Sequence, residues 1–345
     1  MIRYARQSAE NPQEFGEVLR EVKATRRVCA EFIGALPEEI ALLGPTSLGL
    51  SLIANGLPWL EGDEVLCYHG DYPANVYPWL ELKRRGVTVR YLEPAQPGEI
   101  TPELVEAALT SRTRLVALAS CHFFSGYRID VDAIGTLLHQ RGVLFSLDAI
   151  QTVGAFPTRV EHVDFLSADA HKWMLGPCAS GIVYVKREHF ELLRPTLLGA
   201  WNVVSPNFLA QDEIKFVPTA QRYEPGVLNF AGVYGIKAAL DLLLATGLEV
   251  VAARLLELKA YLLAQIEPLG FQVLGPRDGA SATAITTFRH DRASSPKLFA
   301  ALEAAHVVSS LRYDREGRDY LRFSPHYYNT EAEIDTAVRV LREAL

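Results

Sequence analysis

The chain is poor in thiols, and its four cysteines, Cys29, Cys67, Cys121 and Cys178, are widely spaced with no CxxC pair and none beyond position 178. This spacing excludes a disulfide scaffold and suits reduced thiols in a reducing compartment. Cys121-His122 and His69-x-Asp71 could suggest a metal, but no second pair has metal-ligand spacing, so no metal is expected. Basic runs are equally scarce: the longest is Lys83-Arg84-Arg85, and 34 Lys plus Arg against 41 Asp plus Glu leave a net charge of −7. Without a cationic footprint, nucleic acid is not an expected partner. The start of the chain has no apolar core of a signal peptide, and the uncharged stretch Ile40 to Leu60 is interrupted by Gly44, Pro45, Asn55 and Pro58. Neither reads as a membrane segment, so a cytoplasmic protein acting on a small molecule is expected.

What is present is an alternation of short β-rich runs and helical patterns. Seven runs stand out as strands: 39–44, 63–68, 87–92, 113–119, 143–148, 163–168 and 181–186. Amphipathic stretches between them, such as 72–85 and 130–141, serve as crossover helices, which predicts a mostly parallel α/β sheet covered on both faces. A helix at about 13–34 precedes it, with Phe15, Val18, Leu19 and Val22 on one stripe. Residues 192–227 lack periodicity and are too long for a simple connection. Helices follow at 231–245 and 248–266, and the last 75 or so residues read β-β-α-β-β-α, a small α+β domain.

Polar residues gather where strands end. Asp148 closes VLFSLD and is followed by Gln151; Asp169, His171 and Lys172 follow VDFLSA. A helix N-cap accounts for Asp148 taken alone. Lys172 sits among Ala, Trp, Met and Leu, where the charged amine is disfavoured and the neutral one is a nucleophile toward carbonyls. Together, a carboxylate and a lysine at adjacent strand ends are what pyridoxal 5'-phosphate (PLP) chemistry uses, one holding the ring nitrogen and the other the aldehyde carbon. Gly44-Pro45-Thr46-Ser47-Leu48-Gly49 turns from strand to helix and offers a phosphate site. It imitates a P-loop, but Leu50 stands where the lysine belongs. There is no GxSxG, and no GxGxxG after the first strand.

On these motifs, Asp148-x-x-Gln151 and Asp169-Ala170-His171-Lys172, the sequence resembles the class V aminotransferase family, which includes cysteine desulfurases, selenocysteine lyases, kynureninases and isopenicillin N epimerases. The resemblance runs from about Asn11 to Leu345 and implies the PLP-dependent transferase fold type I: a seven-stranded mostly parallel sheet in a large domain (13–245), plus a small α+β domain from 1–12 and 246–345. It implies a homodimer with PLP as cofactor. It makes Lys172 the Schiff-base lysine, Asp148 the partner of the pyridine nitrogen, Gln151 a contact of the phenolic oxygen, and Thr46, Ser47, Asp169 and His171 cofactor contacts. Tyr72, in Asp71-Tyr72-Pro73-Ala74-Asn75, takes the place of the aromatic stacked on the ring. Leu321-Arg322-Phe323-Ser324 through Tyr328-Asn329-Thr330 resembles the family's R-x-S-x-x-x-Y-N-T ending, which makes Arg322 the anchor of the substrate carboxylate, with Arg312 as a second arginine.

Three departures shape the expected activity. The interval Arg312 to Arg322 contains no thiol where desulfurases carry an acceptor cysteine. Val227 and Phe230 replace threonines of the family's phosphate element, and Asp169 replaces a serine. The expected function is therefore an aminotransferase or lyase acting on an amino acid, and not a persulfide-forming cysteine desulfurase. An epimerase and a catalytically silent scaffold are the alternatives, with Tyr72 or His122 as the epimerase's second acid/base.

Overall fold

The computed structural model describes residues 1–11 and 15–345; the expected helix start at 13 lies outside the described residues. The large sheet is built from β1 (Ile40–Ala41), β2 (Glu64–Cys67), β3 (Thr88–Tyr91), β4 (Thr113–Ala119), β5 (Leu144–Asp148), β6 (Phe165–Asp169) and β7 (Gly181–Val185), in the order β1-β7-β6-β5-β4-β2-β3. All seven expected strands are present. Only β7 runs against its neighbours; β3, β2, β4, β5 and β6 pair in parallel. The central strands are apolar on both faces, as in Leu115-Val116-Ala117-Leu118, because helices cover each side.

Those helices are α1 (Ile2–Glu10), α2 (Phe15–Ile33), α3 (Thr46–Gly56), the short α4 (Tyr77–Leu80), α5 (Pro102–Ala108), α6 (Val131–Gln140) and α7 (Phe230–Thr246). In α2 the buried stripe is Val18, Val22, Cys29 and Ile33, while Phe15 and Leu19 are exposed. The expected stripe is thus turned by part of a helical turn. The single crossover helix expected over 72–85 is instead a broken chain of turns around α4, because Pro73 and Pro78 each lack the N–H that would continue a helix. Residues 1–12 were expected with the small domain, whereas Tyr4 packs against Phe230 and Tyr234 of α7.

The long helix α8 (Leu248–Ile266) leads to the smaller C-terminal domain: β8 (Phe271–Leu274), β9 (Thr286–His290), α9 (Ser295–Ala304), β10 (Ser310–Tyr313), β11 (Asp319–Phe323) and α10 (Glu331–Ala344). Its antiparallel sheet has the order β10-β11-β9-β8 and buries Phe288, Leu321 and Phe323 against α8, α9 and α10. A capping box between Thr330 and Glu333 starts α10. No described helix is long and apolar enough to cross a membrane.

Candidate active site

The ends of β4, β5 and β6 open into one small cavity. Asp148, Gln151 and Lys172 line it together with Asp71, Tyr72 and Phe123. Asp148 is the last residue of β5 and is buried; its carboxylate accepts the Ile150 N–H at 3.1 Å, which holds it pointing off the strand end. Burial, reinforced by the neighbouring Asp71 carboxylate, pushes Asp148 up to about 7. A cationic ring nitrogen beside it would relieve that cost, which is the fit expected of a pyridinium partner. Asp71 is itself pushed up to about 6 by burial, while the N–H groups of Tyr72 and Ala119 and the Asn75 amide donate to it. Asp71, weighed from sequence only as half of a His69-x-Asp71 metal pair, is adjacent to Asp148 through the pairing of β2 with β4, which spacing does not show.

Lys172 is half-buried, and among the described residues its amine makes no hydrogen bond; it lies 5.6 Å from the centre of the Tyr72 ring. Burial holds it below the ordinary lysine range, Asp148 acts in the other direction, and Arg322 and Arg312 add to the lowering. Both arginines are therefore close enough to act on the Lys172 charge, although neither lines the cavity. Arg312 and Arg322 lie on one face of the β10–β11 pair, where Arg322 stands opposite Ser310 and Arg312 opposite Tyr320. Leu321 and Phe323 point into the small core instead. Arg322 donates to the Phe123 carbonyl at 2.5 Å, its buried Nε has no partner among the described residues, and burial brings it down to about 10. Arg312 Nε is likewise buried and unpartnered. Two buried guanidinium N–H groups without partners are what an incoming carboxylate would satisfy.

Around the cavity, Gln151 accepts the Trp173 indole N–H at 2.9 Å, and His326 bonds the Trp173 carbonyl at 3.1 Å. The segment after β11 thus docks directly beside Lys172. Thr46, at the start of α3, accepts the Asp169 N–H at 2.8 Å, leaving its hydroxyl hydrogen free to donate; Ser47 is exposed. Asp169 is no loose anion: its carboxylate accepts the N–H groups of Ala170 and Ala179 and lies 2.6 Å from His171 Nδ1. Replacing serine by aspartate here ties down the loop after β6 and fixes the imidazole. His122 is buried, 2.9 Å from Ser125 and 3.0 Å from the Gly70 carbonyl, and burial brings it down to about 4. One cluster of possible metal ligands, Asp164, Glu188 and His189, lies at the opposite end of β6, where Asp164 is already bonded to His189 and to the Phe145 N–H.

The sequence profile of the class-V aminotransferase family matches residues 4–336. The chain belongs to the class-V aminotransferase family. This class-V protein is 28% identical over 339 residues to a probable cysteine desulfurase of Methanothermobacter thermautotrophicus, spanning 94% of its own length and 84% of the relative's. Among solved structures it is similar to the apo cysteine desulfurase of Thermococcus onnurineus NA1 (24% identity, TM-score 0.89, 95% of this chain and 84% of that one). It also resembles a C-DES variant with glycine covalently linked to its PLP cofactor (21% identity, TM-score 0.89, 99% and 91%). The fold is that of fold-type I PLP enzymes, and the class-V protein is a PLP-dependent enzyme. One expectation is overturned. The missing thiol between Arg312 and Arg322 predicts aminotransferase or lyase chemistry and not a persulfide-forming desulfurase, yet relatives matched along 94% and 92% of the chain are named probable cysteine desulfurases. A thiol in that loop bears on where sulfur goes after it leaves the substrate, not on whether the C–S bond is broken.

Proposed function

We propose that this protein is a PLP-dependent cysteine desulfurase, taking the sulfur from cysteine and leaving alanine. The observation that carries the reading is the meeting of Lys172 and Asp148 in one cavity, with Arg322 close enough to act on the Lys172 amine, in a chain whose relative along 94% of its length is named a probable cysteine desulfurase. When bound, PLP supplies a carbonyl carbon for the amine of the substrate and a ring that accepts electrons released at Cα. Lys172 would hold it, Asp148 would keep the ring nitrogen protonated, Tyr72 and Phe123 would flank the ring, and Thr46, Ser47 and His171 would meet the phosphate at the start of α3. Asp169 acts through His171, by orienting it.

The chain's own residues divide the remaining work. Arg322, assisted by Arg312, binds the substrate carboxylate with the N–H groups that the fold leaves unpaired. The Lys172 amine, held toward its neutral form by burial and by both arginines, removes the proton from Cα and later returns one. We also infer a homodimer in a reducing compartment. The exposed apolar residues Leu198, Phe208, Leu209, Ile214 and Val227 of the irregular segment support the first, and four free cysteines the second.

The test is direct. PLP-loaded protein given cysteine and dithiothreitol should release alanine and sulfide in equal amounts. Pyruvate and ammonia, or a keto acid in place of alanine, would overturn the reading.

A further inference from the structure

A second, larger space adjoins the cavity. It is a cleft of about 670 Å³, well within the range of small-molecule sites, and it shares Asp71 and Phe123 with the Lys172 cavity, so the two lie side by side. Its floor is the turn after β2, and its roof is the Asp314–Arg318 turn joining β10 to β11. Arg315 in the roof donates to the His69 carbonyl in the floor at 3.1 Å.

The charges of the roof are unevenly satisfied. Asp314 takes the Arg318 side chain at 2.5 Å and the Tyr320 hydroxyl at 3.2 Å, and Glu316 takes Arg318 at 3.0 Å. Both acids are therefore spent on one arginine. Arg315 is exposed and has no acidic partner among the described residues, and the facing wall, Pro94-Ala95-Gln96-Pro97, carries no charge. The cleft thus offers one uncommitted cation beside a largely uncharged surface.

No thiol of the chain serves this space. Cys29 and Cys67 are fully buried inside α2 and β2. Cys121 touches the cavity, but its sulfur lies 3.8 Å from the Thr283 hydroxyl and 3.7 Å from the His122 carbonyl, and burial pushes the thiol up to about 12, which keeps it protonated and unreactive. Cys178 is exposed but borders neither the cavity nor the cleft.

Resting on the desulfurase reading, we propose that the sulfur acceptor is a small thiol bearing a carboxylate, supplied from solution, which enters through this cleft with its carboxylate on Arg315. The step balances without a further oxidant. The acceptor thiolate attacks the substrate sulfur, the sulfur–carbon bond breaks with its electron pair going to carbon, and a proton replaces sulfur there. Cysteine plus RSH gives alanine plus RSSH.

The experiment uses PLP-loaded protein, with cysteine kept scarce because it is itself a carboxylate-bearing thiol, and with 3-mercaptopropionate or 2-mercaptoethanol added in turn. Alanine formation is expected to rise and saturate with mercaptopropionate at a lower concentration than with mercaptoethanol, and peptide masses should show no added sulfur on Cys121 or Cys178. Arg315→Ala should raise the half-saturating concentration of mercaptopropionate relative to that of mercaptoethanol by about three- to fivefold, the worth of one exposed ion pair. Sulfur carried on a cysteine of the chain, or an unchanged ratio between the two thiols in Arg315→Ala, would overturn the proposal. Absence of alanine with every thiol removes the desulfurase reading itself, and the proposal with it.

Discussion

Two lysines of this protein are withdrawn from solvent, and they behave differently. Lys259, on α8, is fully buried, donates to the Ile285 carbonyl at 3.0 Å and is brought down to about 8 by burial. Lys172 is less buried, yet its amine has no hydrogen-bond partner among the described residues, faces a cavity, and shares that cavity with a buried carboxylate. A lowered proton affinity is common to both; an open approach and a counter-charge belong to one. The comparison teaches that burial prepares an amine for covalent chemistry only where the fold also leaves it room and a place for the ring nitrogen.

The comparison can be broken in four ways, beginning with the largest effect. Lys172→Ala should reduce alanine formation by more than about 10³-fold, whereas Lys259→Met should retain it within a few-fold; equal losses would erase the distinction. Asp148→Asn should lower the rate by about 10²- to 10³-fold, measured as alanine release, while raising the stability of the cofactor-free protein at neutral pH. The sign follows from its raised affinity: between about pH 4 and 7 the folded chain holds a proton that the unfolded chain has lost, so stability falls as pH rises, and the Asn variant's advantage grows over that window. Urea unfolding at pH 4 and pH 8 measures it. Arg322→Ala should raise the KM for cysteine by about 10- to 100-fold while the cofactor absorbance persists; loss of the absorbance would place Arg322 on the cofactor instead.

The smallest effect on function concerns Lys259. Below pH 8 the folded protein bears the full cost of the buried ammonium. Between pH 8 and 10.5 the folded chain has lost a proton that the unfolded chain keeps, so stability rises with pH. Any stability advantage of Lys259→Met should therefore shrink by about 3 kcal/mol from pH 7 to pH 10.5. A difference independent of pH would show that the amine is not held charged in the core.

The sheet was legible because each strand is short, apolar and bounded by turn residues, and the polar residues that follow β5 and β6 stand at its functional edge. Lys172, Asp148 and Gln151 could be placed together on that basis. What sequence could not show is what crosses between distant segments. Asp71 reaches Asp148 only through strand pairing, His326 reaches Trp173 only when the small domain docks, and Arg312 joins Arg322 only through the β10–β11 register. Breaks in regularity were harder still. The helix expected over 72–85 is broken at two prolines, and the buried stripe of α2 is turned so that Leu19 lies beside Trp201. Activity was less legible, because a thiol missing from one loop says less about the reaction than the residues that meet in the cavity.

The most direct measurement is to treat the PLP-loaded protein with borohydride, which fixes the cofactor to the lysine that holds it, and to map the modified peptide by mass. The account predicts a single pyridoxyl group on Lys172. Its recovery on Lys259, or scattered over surface lysines, would contradict the assignment of this cavity as the active site.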